Sequence, residues 1–386
     1  MNYSELHKFV KNEGVDGFFV FYTALLNGMD VQRMPGQLFL INNYKTPEAK
    51  TSFVHSVAQS TRLSTTTFVL QKRFRRVLFQ QAKVPMPKAA TFSFFSRKDP
   101  VKYANKIGYP LVVKEMFGEN PSFSVYNVKN KKELFSGIEK VRHHLPVSSE
   151  RAPSSYAQTI NLGSAESIDD NTRVKSNKSR FIIEKQLVGD AYRVYVVGGK
   201  VSLVLKPLPS GNGFIKVLSP SQDVINVAES SVNAVPGIAN AAIDIVESND
   251  GLVYLVEFCE RLLPPSEIFS EASFSIVSDI YQRLFESEVS LVGGVTSSIK
   301  KRAAYLIKVS GLSDVKSFVK TLKKISDELK VAFRVSDTCN IFGQVSLQLA
   351  GGCVEVAAAL EKLFEDQNVT HLKIVRKKLL KIKQVV

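Results

Sequence analysis

Two glycine-containing turns, each between two β-rich runs, constrain the fold of this 386-residue chain more than any other feature. The first turn, Gly198-Gly199, joins YRVYVV to KVSLVLK, and the second, Asn249-Asp250-Gly251, joins AAIDIVES to LVYLVEFCE. Glycine and asparagine reach the positive backbone angles that tight hairpin turns require. This part of the chain is therefore predicted to be mainly antiparallel sheet.

The remaining pattern mixes helices and strands, which predicts an α+β protein. Residues 90–141 predict strands at ATFSFF, YPLVVKEM and FSVYNV and helices at DPVKYANKI and KKELFSGIEKVRHH. Upstream, TTTFVLQKRFRRVLFQQAK predicts a helix with a basic face. Pro85 and Pro87 end this helix, because proline removes backbone donors and favours extended geometry.

Three consecutive segments follow from this pattern: an N-terminal region at 1–85, a central module at 86–298 and a C-terminal domain at 299–386. The last segment reads strand, helix, strand, strand, helix, strand, which is the arrangement of ferredoxin-like domains. The helix SIVSDIYQRLFESE is expected to close the central module. Residues 146–178 are rich in Ser, Asn, Asp and Thr without apolar periodicity, and this indicates a surface insertion or mobile loop.

The chain is basic, with 51 Lys and Arg against 36 Asp and Glu. Six of these cations lie near the end: Lys373, Arg376, Lys377, Lys378, Lys381 and Lys383. Two interpretations stay open, a solvated basic tail or a segment that docks on an anionic partner, nucleic acid included. No nucleic-acid motif accompanies the tail.

The N-terminus lacks the pattern of a signal peptide, and no window reaches the roughly 18 apolar residues of a membrane span. Three scattered cysteines, Cys259, Cys339 and Cys353, form neither a disulfide framework nor a metal motif. These features predict a soluble cytoplasmic protein with no membrane partner.

Four features follow one another along the chain in an order suited to a nucleotide cleft: Lys72, Lys114, Glu184, and the pair Asp244 and Glu257. Lys114 ends a β-rich run, where its ammonium could neutralise phosphate charge. Asp244 and Glu257 lie on either side of the second turn, so a hairpin would let both carboxylates face one point, as magnesium prefers. The alternative is a solvated strand end and two outward-facing acids.

From about Lys72 to Pro265 the chain resembles the ATP-grasp superfamily, in particular its cyanophycin-synthetase-like and ribosomal-modification-type carboxylate-amine ligases. The stretches that carry the resemblance are Gln71-Lys72, AKVPMP, GYPLVVK ending at Lys114, Ile183-Glu184 to Gly189, Tyr192-Arg193 with VYVV, and Ile243-Asp244 to Glu257. It implies two lobes that clamp ATP between antiparallel sheets. It also implies a reaction in which the carboxylate of an amino acid or peptide is phosphorylated to an acylphosphate, which an amine then attacks to give an amide.

The resemblance also implies roles for individual residues. Those implied for the cofactor are Lys72 and Lys114 at the phosphates, Gly118 in a phosphate lid, Glu184, Lys185 and Leu187 at adenine, Asp190 near the ribose, and Asp244 and Glu257 at Mg²⁺. Lys206 and Arg193 are the implied catalytic residues.

Several positions depart from the family pattern. Cys259 stands where an asparagine usually completes the metal motif, Pro121 lies in the lid, and Lys206 replaces an arginine. These departures keep an alternative open, a catalytically degenerate nucleotide-binding protein with a structural or regulatory role. A third possibility is a basic scaffold that does not use ATP. The C-terminal domain is expected to serve regulation, partner docking or formation of a homo-oligomer.

Overall fold

The computed structural model describes residues 3–11, 14–42, 46, 48–69, 72–116, 123–144, 180–208, 213–265, 271–296, 301–339, 343–366 and 369–377. The predicted insertion at 146–178, the predicted lid at Gly118 and the basic residues 378–386 lie outside these ranges. Two compact units share the chain. We call Thr61–Pro207 with Ile215–Glu260 the central unit, and Met1–Ser60, Leu208–Phe214 and Arg261–Val386 the terminal unit.

The described part of the chain begins with a short 3₁₀ helix at Tyr3–Lys8 and continues with a mixture of α-helices and β-strands. The helices are α1 (Val15–Leu26), α2 (Leu63–Val69), α3 (Lys72–Gln81), α4 (Lys98–Ile107), α5 (Lys131–His144), α6 (Gln222–Asn233), α7 (Glu271–Leu291), α8 (Val315–Leu329) and α9 (Cys353–Asp366). The strands are β1 (Asp30–Met34), β2 (Leu38–Asn42), β3 (Lys50–Val54), β4 (Val57–Ala58), β5 (Ala89–Ser93), β6 (Leu111–Glu115), β7 (Ser124–Val128), β8 (Arg180–Lys185), β9 (Gly189–Val197), β10 (Lys200–Pro207), β11 (Phe214–Lys216), β12 (Ala241–Ser248), β13 (Val253–Cys259), β14 (Arg302–Ser310), β15 (Ala332–Cys339), β16 (Gln344–Gly352) and β17 (His371–Lys377).

The central unit contains a four-stranded antiparallel sheet in the order β5-β8-β6-β7. Leu111, Val113, Phe181 and Ile183 pack in one apolar core with residues of α4 and α5. Because side chains alternate along a strand, the residues between them point to the opposite face. Lys114 and Glu184 lie on that second face.

A second antiparallel sheet of the central unit has the order β11-β10-β9-β12-β13. Both predicted hairpins, β9 with β10 and β12 with β13, are confirmed, and Gly198, Gly199 and Gly251 have the positive φ angles that their turns need. One face, which includes Val194 and Ile243, packs against apolar residues of α6. The opposite face carries Arg193, Asp244 and Glu257.

Two one-residue bulges set which side chains share a face in this sheet. In β10, Val201 lies opposite Val196 but Leu203 lies opposite Tyr195, so Ser202 is an extra residue. In β13, Glu257 lies opposite Asp244 but Leu255 lies opposite Ile245, so Val256 is extra. A bulge turns the following residues onto the other face. Leu255 therefore joins the apolar core, whereas Glu257 does not.

The terminal unit contains an eight-stranded sheet in the order β15-β16-β14-β17-β1-β2-β3-β4. The order strand, helix, strand, strand, helix, strand predicted for residues 299–386 is present as β14, α8, β15, β16, α9 and β17. Strand β17 is an outermost strand of this βαββαβ arrangement, and its far side pairs with β1, with Val31 opposite Ile374. A strand edge presents unpaired backbone groups, and pairing with β1 satisfies them.

This division differs from the three consecutive segments predicted. Residues from 1–85 and 299–386 belong to one sheet, so the C-terminal strands do not form a separate domain. Helix α7, expected to close the central module, also belongs to the terminal unit. Helix α1 packs against α7 and α9 and is buried along its whole length, because most of its residues are apolar. Its buried carboxylate, Asp16, is paired with Arg261.

Among the described residues, no helix combines the length and apolar content needed to cross a bilayer.

Candidate functional site

Lys114 and Glu184 form a buried ion pair on the second face of the four-stranded sheet. The Nζ atom of Lys114 donates to Oε1 of Glu184 at 2.6 Å. Burial favours the neutral amine, but the carboxylates of Glu184 and Glu257 outweigh burial and raise the pKa of Lys114. Lys114 is therefore a fixed positive charge. Arg76 of α3 donates to the other oxygen of Glu184 at 2.9 Å and also to the carbonyl of Pro87.

A second cluster surrounds Glu257 on β13. Arg75 Nη2 donates to Oε1 of Glu257 at 2.7 Å, and Lys72 Nζ lies 3.6 Å from Oε2. Arg75 also donates to the carbonyl of Phe258. Burial would raise the pKa of Glu257, but Lys72, Arg75 and Lys114 lower it to about 2. Burial lowers the pKa of Lys72, and its cationic neighbours Arg75 and Lys114 act in the same direction.

Helix α3 supplies cations to both clusters because of its residue spacing. Lys72, Arg75 and Arg76 stand three and four residues apart, which places them on one side of a helix. Phe79, one turn further, packs against Phe258 with ring centroids 5.5 Å apart and anchors the helix on the five-stranded sheet. Lys72 was predicted from the sequence as a site residue, but Arg75 and Arg76 were not. The spacing in KRFRR is the signal that could have found them.

Asp244 and Arg193 continue the charged face of the five-stranded sheet. Asp244 lies directly opposite Glu257 on one side and Arg193 on the other. Arg193 Nη1 lies 3.3 Å from Asp244 Oδ1. Burial and the nearby Glu257 carboxylate raise the pKa of Asp244 even though Arg193 opposes this shift. Burial raises the pKa of Tyr195, on the same face, to about 12.

Residues of both clusters line one narrow cavity of the central unit. Its walls come from α3, β6 and β8 of the four-stranded sheet, and β13 of the five-stranded sheet. The charged lining residues are Lys72, Arg75, Arg76, Lys114, Glu184 and Glu257. The structure therefore brings together the two lysines, Glu184 and Glu257 that the sequence placed in one cleft. We call this cavity, with the adjoining Asp244 and Arg193, the charged cleft.

Lys206 and Asp190 do not belong to the charged cleft. Lys206 Nζ lies 2.7 Å from Asp190 Oδ2 and 5.8 Å from the centroid of the Tyr192 ring. Asp190 and Tyr192 alternate with Arg193 along β9, so they point to the opposite face of the sheet. The predicted grouping of Lys206 with Arg193 as catalytic residues is thus not met, because the bulge at Ser202 turns Lys206 away.

Lys185 and Leu187 lie where β8 ends. The ammonium of Lys185 donates to the carbonyls of Gly108 and Tyr109 at 3.1 and 2.8 Å, so its charge serves this local contact. The backbone N–H of Lys185 donates to Lys88. Within the part of the chain that the structure describes, the backbone of Leu187 makes no hydrogen bond.

The residues of the charged cleft do not fit a magnesium ion held by the protein. Magnesium prefers oxygen ligands in near-octahedral geometry. Asp244 already contacts Arg193 at 3.3 Å and Glu257 contacts Arg75 at 2.7 Å, so a metal ion would have to compete with a guanidinium at each carboxylate. Cys259, the next residue of β13 on this face, is a soft donor that magnesium does not favour. Among the described residues, no group of three or more acidic, histidine or cysteine side chains could hold a metal ion.

Comparisons with known proteins give structural similarities only. No protein-family model matches the sequence, and no curated protein matches it. D-alanine–D-alanine ligase from Bacillus anthracis is 14% identical over 60% of this chain and 71% of that ligase, with a TM-score of 0.41. A RimK domain ATP-grasp protein from Sphaerobacter thermophilus is 13% identical over 57% of this chain and 68% of its own, with a TM-score of 0.40.

The ATP-grasp ligase PsnB, solved with a minimal precursor, is 15% identical over 58% of this chain and 61% of its own length, with a TM-score of 0.37. The chain thus spans less than two thirds of PsnB. Two of these three proteins carry the name ATP-grasp.

Proposed function

We propose that the charged cleft binds ATP and that the protein is an ATP-dependent ligase that joins a carboxylate to an amine. The convergence of Lys72, Lys114, Glu184 and Glu257 on one cavity of the central unit carries this proposal. These residues are far apart in the sequence, and the ATP-grasp resemblance assigns three of them to ATP itself. A set of solvated strand ends, the alternative reading of the sequence, would not be buried in ion pairs.

The cationic residues suit the phosphate end of the nucleotide. Lys114 is held charged by its neighbours, and Lys72, Arg75 and Arg193 lie around the paired carboxylates. Phosphoryl transfer depends on positioning and charge neutralisation more than on covalent help from the protein. Buried cations that are already oriented supply both.

The end of β8 suits the base. Glu184 is fixed by Lys114 and Arg76, and Leu187 follows three residues later with its backbone amide and carbonyl unused among the described residues. A backbone donor and acceptor in one segment match the donor and acceptor on a purine edge. We therefore assign Leu187 to adenine, and we assign Lys185 a structural role at Gly108 and Tyr109.

The proposed reaction has two steps. A carboxylate oxygen of the substrate attacks the γ-phosphorus of ATP, ADP leaves, and an acylphosphate forms. An amine then attacks the acyl carbon, inorganic phosphate leaves with the bonding electrons, and the amine loses a proton to give the amide. The class of substrate that the resemblance supports is an amino acid or a peptide.

A second candidate function is nucleotide binding without ligase chemistry. The contact between Arg75 and Glu257 favours it, because this carboxylate is one of the two predicted metal ligands and is held by a guanidinium. Cys259, buried beside it, favours the same reading.

Isothermal titration of the full chain with ATP tests the binding step, and ADP release across a panel of amino acids and short peptides tests the chemistry. We expect binding, and a substrate-dependent release of ADP. Binding without ADP release would favour the second candidate. Absence of ATP binding would contradict both candidate functions.

A further inference from the structure

Arg75 contacts Glu257, one of the two carboxylates that the sequence pattern assigns to a metal ion. Its guanidinium reaches Oε1 of Glu257 at 2.7 Å and is also tied to the carbonyl of Phe258. The residue is 7% exposed. Two anchoring contacts and deep burial fix the guanidinium in this position.

We infer that Arg75 takes the place of a divalent cation in the charged cleft, so that the protein binds ATP without needing magnesium. This inference rests on the proposed nucleotide site. It assigns to Arg75 a positioning and charge-neutralising role that neither the resemblance nor the sequence pattern gave it.

The local balance of charge supports the inference. The two carboxylates, Asp244 and Glu257, face three cations in direct contact with them: Lys72, Arg75 and Arg193. The set is net positive before any ion binds, whereas a protein-held divalent ion usually sits among excess negative charge. Phosphate groups would therefore find a cationic surface here, and a divalent ion would meet cations at both of its prospective ligands.

The same contacts have a purely structural reading, in which Arg75 only fastens α3 to β13. The two readings differ in how ATP binding responds to magnesium. A fastening residue leaves the metal dependence of binding unchanged when it is removed. If Arg75 replaces the metal, its removal makes ATP binding depend on magnesium, because Glu257 then becomes free to act as a magnesium ligand.

The first measurement is the Kd of the full chain for ATP, by isothermal titration, once with excess magnesium and once with EDTA. We expect binding in EDTA to be as tight as in magnesium or at most threefold weaker. A larger loss in EDTA would overturn the inference while leaving the proposed ATP site intact. Failure to bind in both buffers would instead contradict the proposed function.

The second measurement compares Arg75→Ala with Arg73→Ala, a matched change at an exposed position on the same helix. We expect the ratio of Kd in EDTA to Kd in magnesium to rise at least threefold in Arg75→Ala and to stay at the wild-type value in Arg73→Ala. An unchanged ratio in Arg75→Ala, at any affinity, would overturn the inference.

A third variant decides the matter if Arg75→Ala does not fold. Glu257→Gln releases Arg75 and Lys72 from their carboxylate and keeps the size of the side chain. We expect its affinity for ATP to be unchanged or tighter in both buffers. A tenfold loss of affinity that appears only with magnesium would identify Glu257 as a metal ligand and refute the role given to Arg75.

Discussion

The ammonium of Lys114 lies 2.6 Å from a carboxylate oxygen of Glu184, and each side chain is only 4% exposed. The two residues occupy neighbouring antiparallel strands and share the face turned away from α4 and α5. Each buried charge is tolerated because the other compensates it. The charge of Lys114 and the position of Glu184 therefore depend on each other.

Loss of either partner of this pair should destabilise the central unit. We expect Lys114→Met and Glu184→Gln each to lower the free energy of unfolding by about 3–5 kcal/mol, because each breaks a buried ion pair. The double variant should lose less than the sum of the two. Urea unfolding of the full chain measures this coupling. The exposed pair Lys200 and Glu229 is the control, with an expected effect below about 1 kcal/mol.

Arg193 and Lys206 should differ in their effect on nucleotide binding, because they lie on opposite faces of one sheet. We expect Arg193→Ala to weaken ATP binding by about tenfold or more, since it removes a cation from the proposed phosphate site. Lys206→Ala should leave the Kd within about twofold of the wild type. Titration calorimetry measures both, and melting curves check that both variants fold. Equal losses in the two variants would contradict the assignment of faces.

The stabilisation that Glu257 provides should disappear in acid. Its pKa in the folded protein is about 2, below the ordinary value of 4.5. The ionised carboxylate therefore stabilises the fold fully above pH 4.5, and this contribution is lost as the pH falls towards 2. The difference between the two pKa values corresponds to a contribution to the free energy of unfolding on the order of 3 kcal/mol.

The matching variant is Glu257→Gln, which resembles the protonated carboxyl group. We expect the free energy of unfolding of this variant to be lower than that of the wild type by on the order of 3 kcal/mol at pH 7 and to be nearly equal to it at pH 2. Denaturant titrations at several pH values between these limits measure the gap. A gap that stays constant down to pH 2 would show that the carboxylate gains nothing from its cationic neighbours.

Gly189 should not tolerate a side chain. A Cβ atom there would lie 2.0 Å from the carbonyl oxygen of Glu247 in the paired strand β12, so the two backbones would have to separate. At Gly199, a Cβ would meet nothing within 4 Å, and only the positive φ of 76° opposes alanine. We expect Gly189→Ala to lower the melting temperature clearly more than Gly199→Ala, where the cost is about 1 kcal/mol. Equal shifts would count against the close approach of β9 and β12.

The features that follow from local sequence signals could be predicted, as the hairpins show. The turn at Gly198-Gly199 and the one at Asn249-Asp250-Gly251 depend on backbone angles that only a few residue types reach, and both are present. Helix α1 carries no such signal. Most of its residues are apolar, and a largely apolar run does not distinguish a buried helix from buried strands.

The bulge in β10 explains why the face of Lys206 could not be predicted. If the pairing of β9 with β10 continued in regular register from the Gly198-Gly199 turn, Lys206 would lie opposite Ala191 and share a face with Arg193. The extra residue, Ser202, shifts the pairing by one and sends Lys206 to the other face. Nothing in the run KVSLVLK marks Ser202 as a bulge, since the packing of the sheet determines its position.

The carboxylates that pair with α3 could not be predicted from the sequence, for a different reason. The spacing of Lys72, Arg75 and Arg76 indicates a basic helix face, but a solvated face has the same spacing. Glu184 and Glu257 meet these cations only because two separate sheets come together beside the helix. Such contacts depend on tertiary structure and leave no trace in the local pattern.

The pairing of β1 with β17 has a consequence for biosynthesis. Hydrogen bonds between Asp30–Met34 and His371–Lys377 cannot form until the later strand has left the ribosome. The residues of the central unit are translated before β17, so its sheets can form while the edge of β1 is still unpaired. A nascent chain halted before β17 would thus expose that edge to chaperones or to other chains, where it could pair with another strand and aggregate.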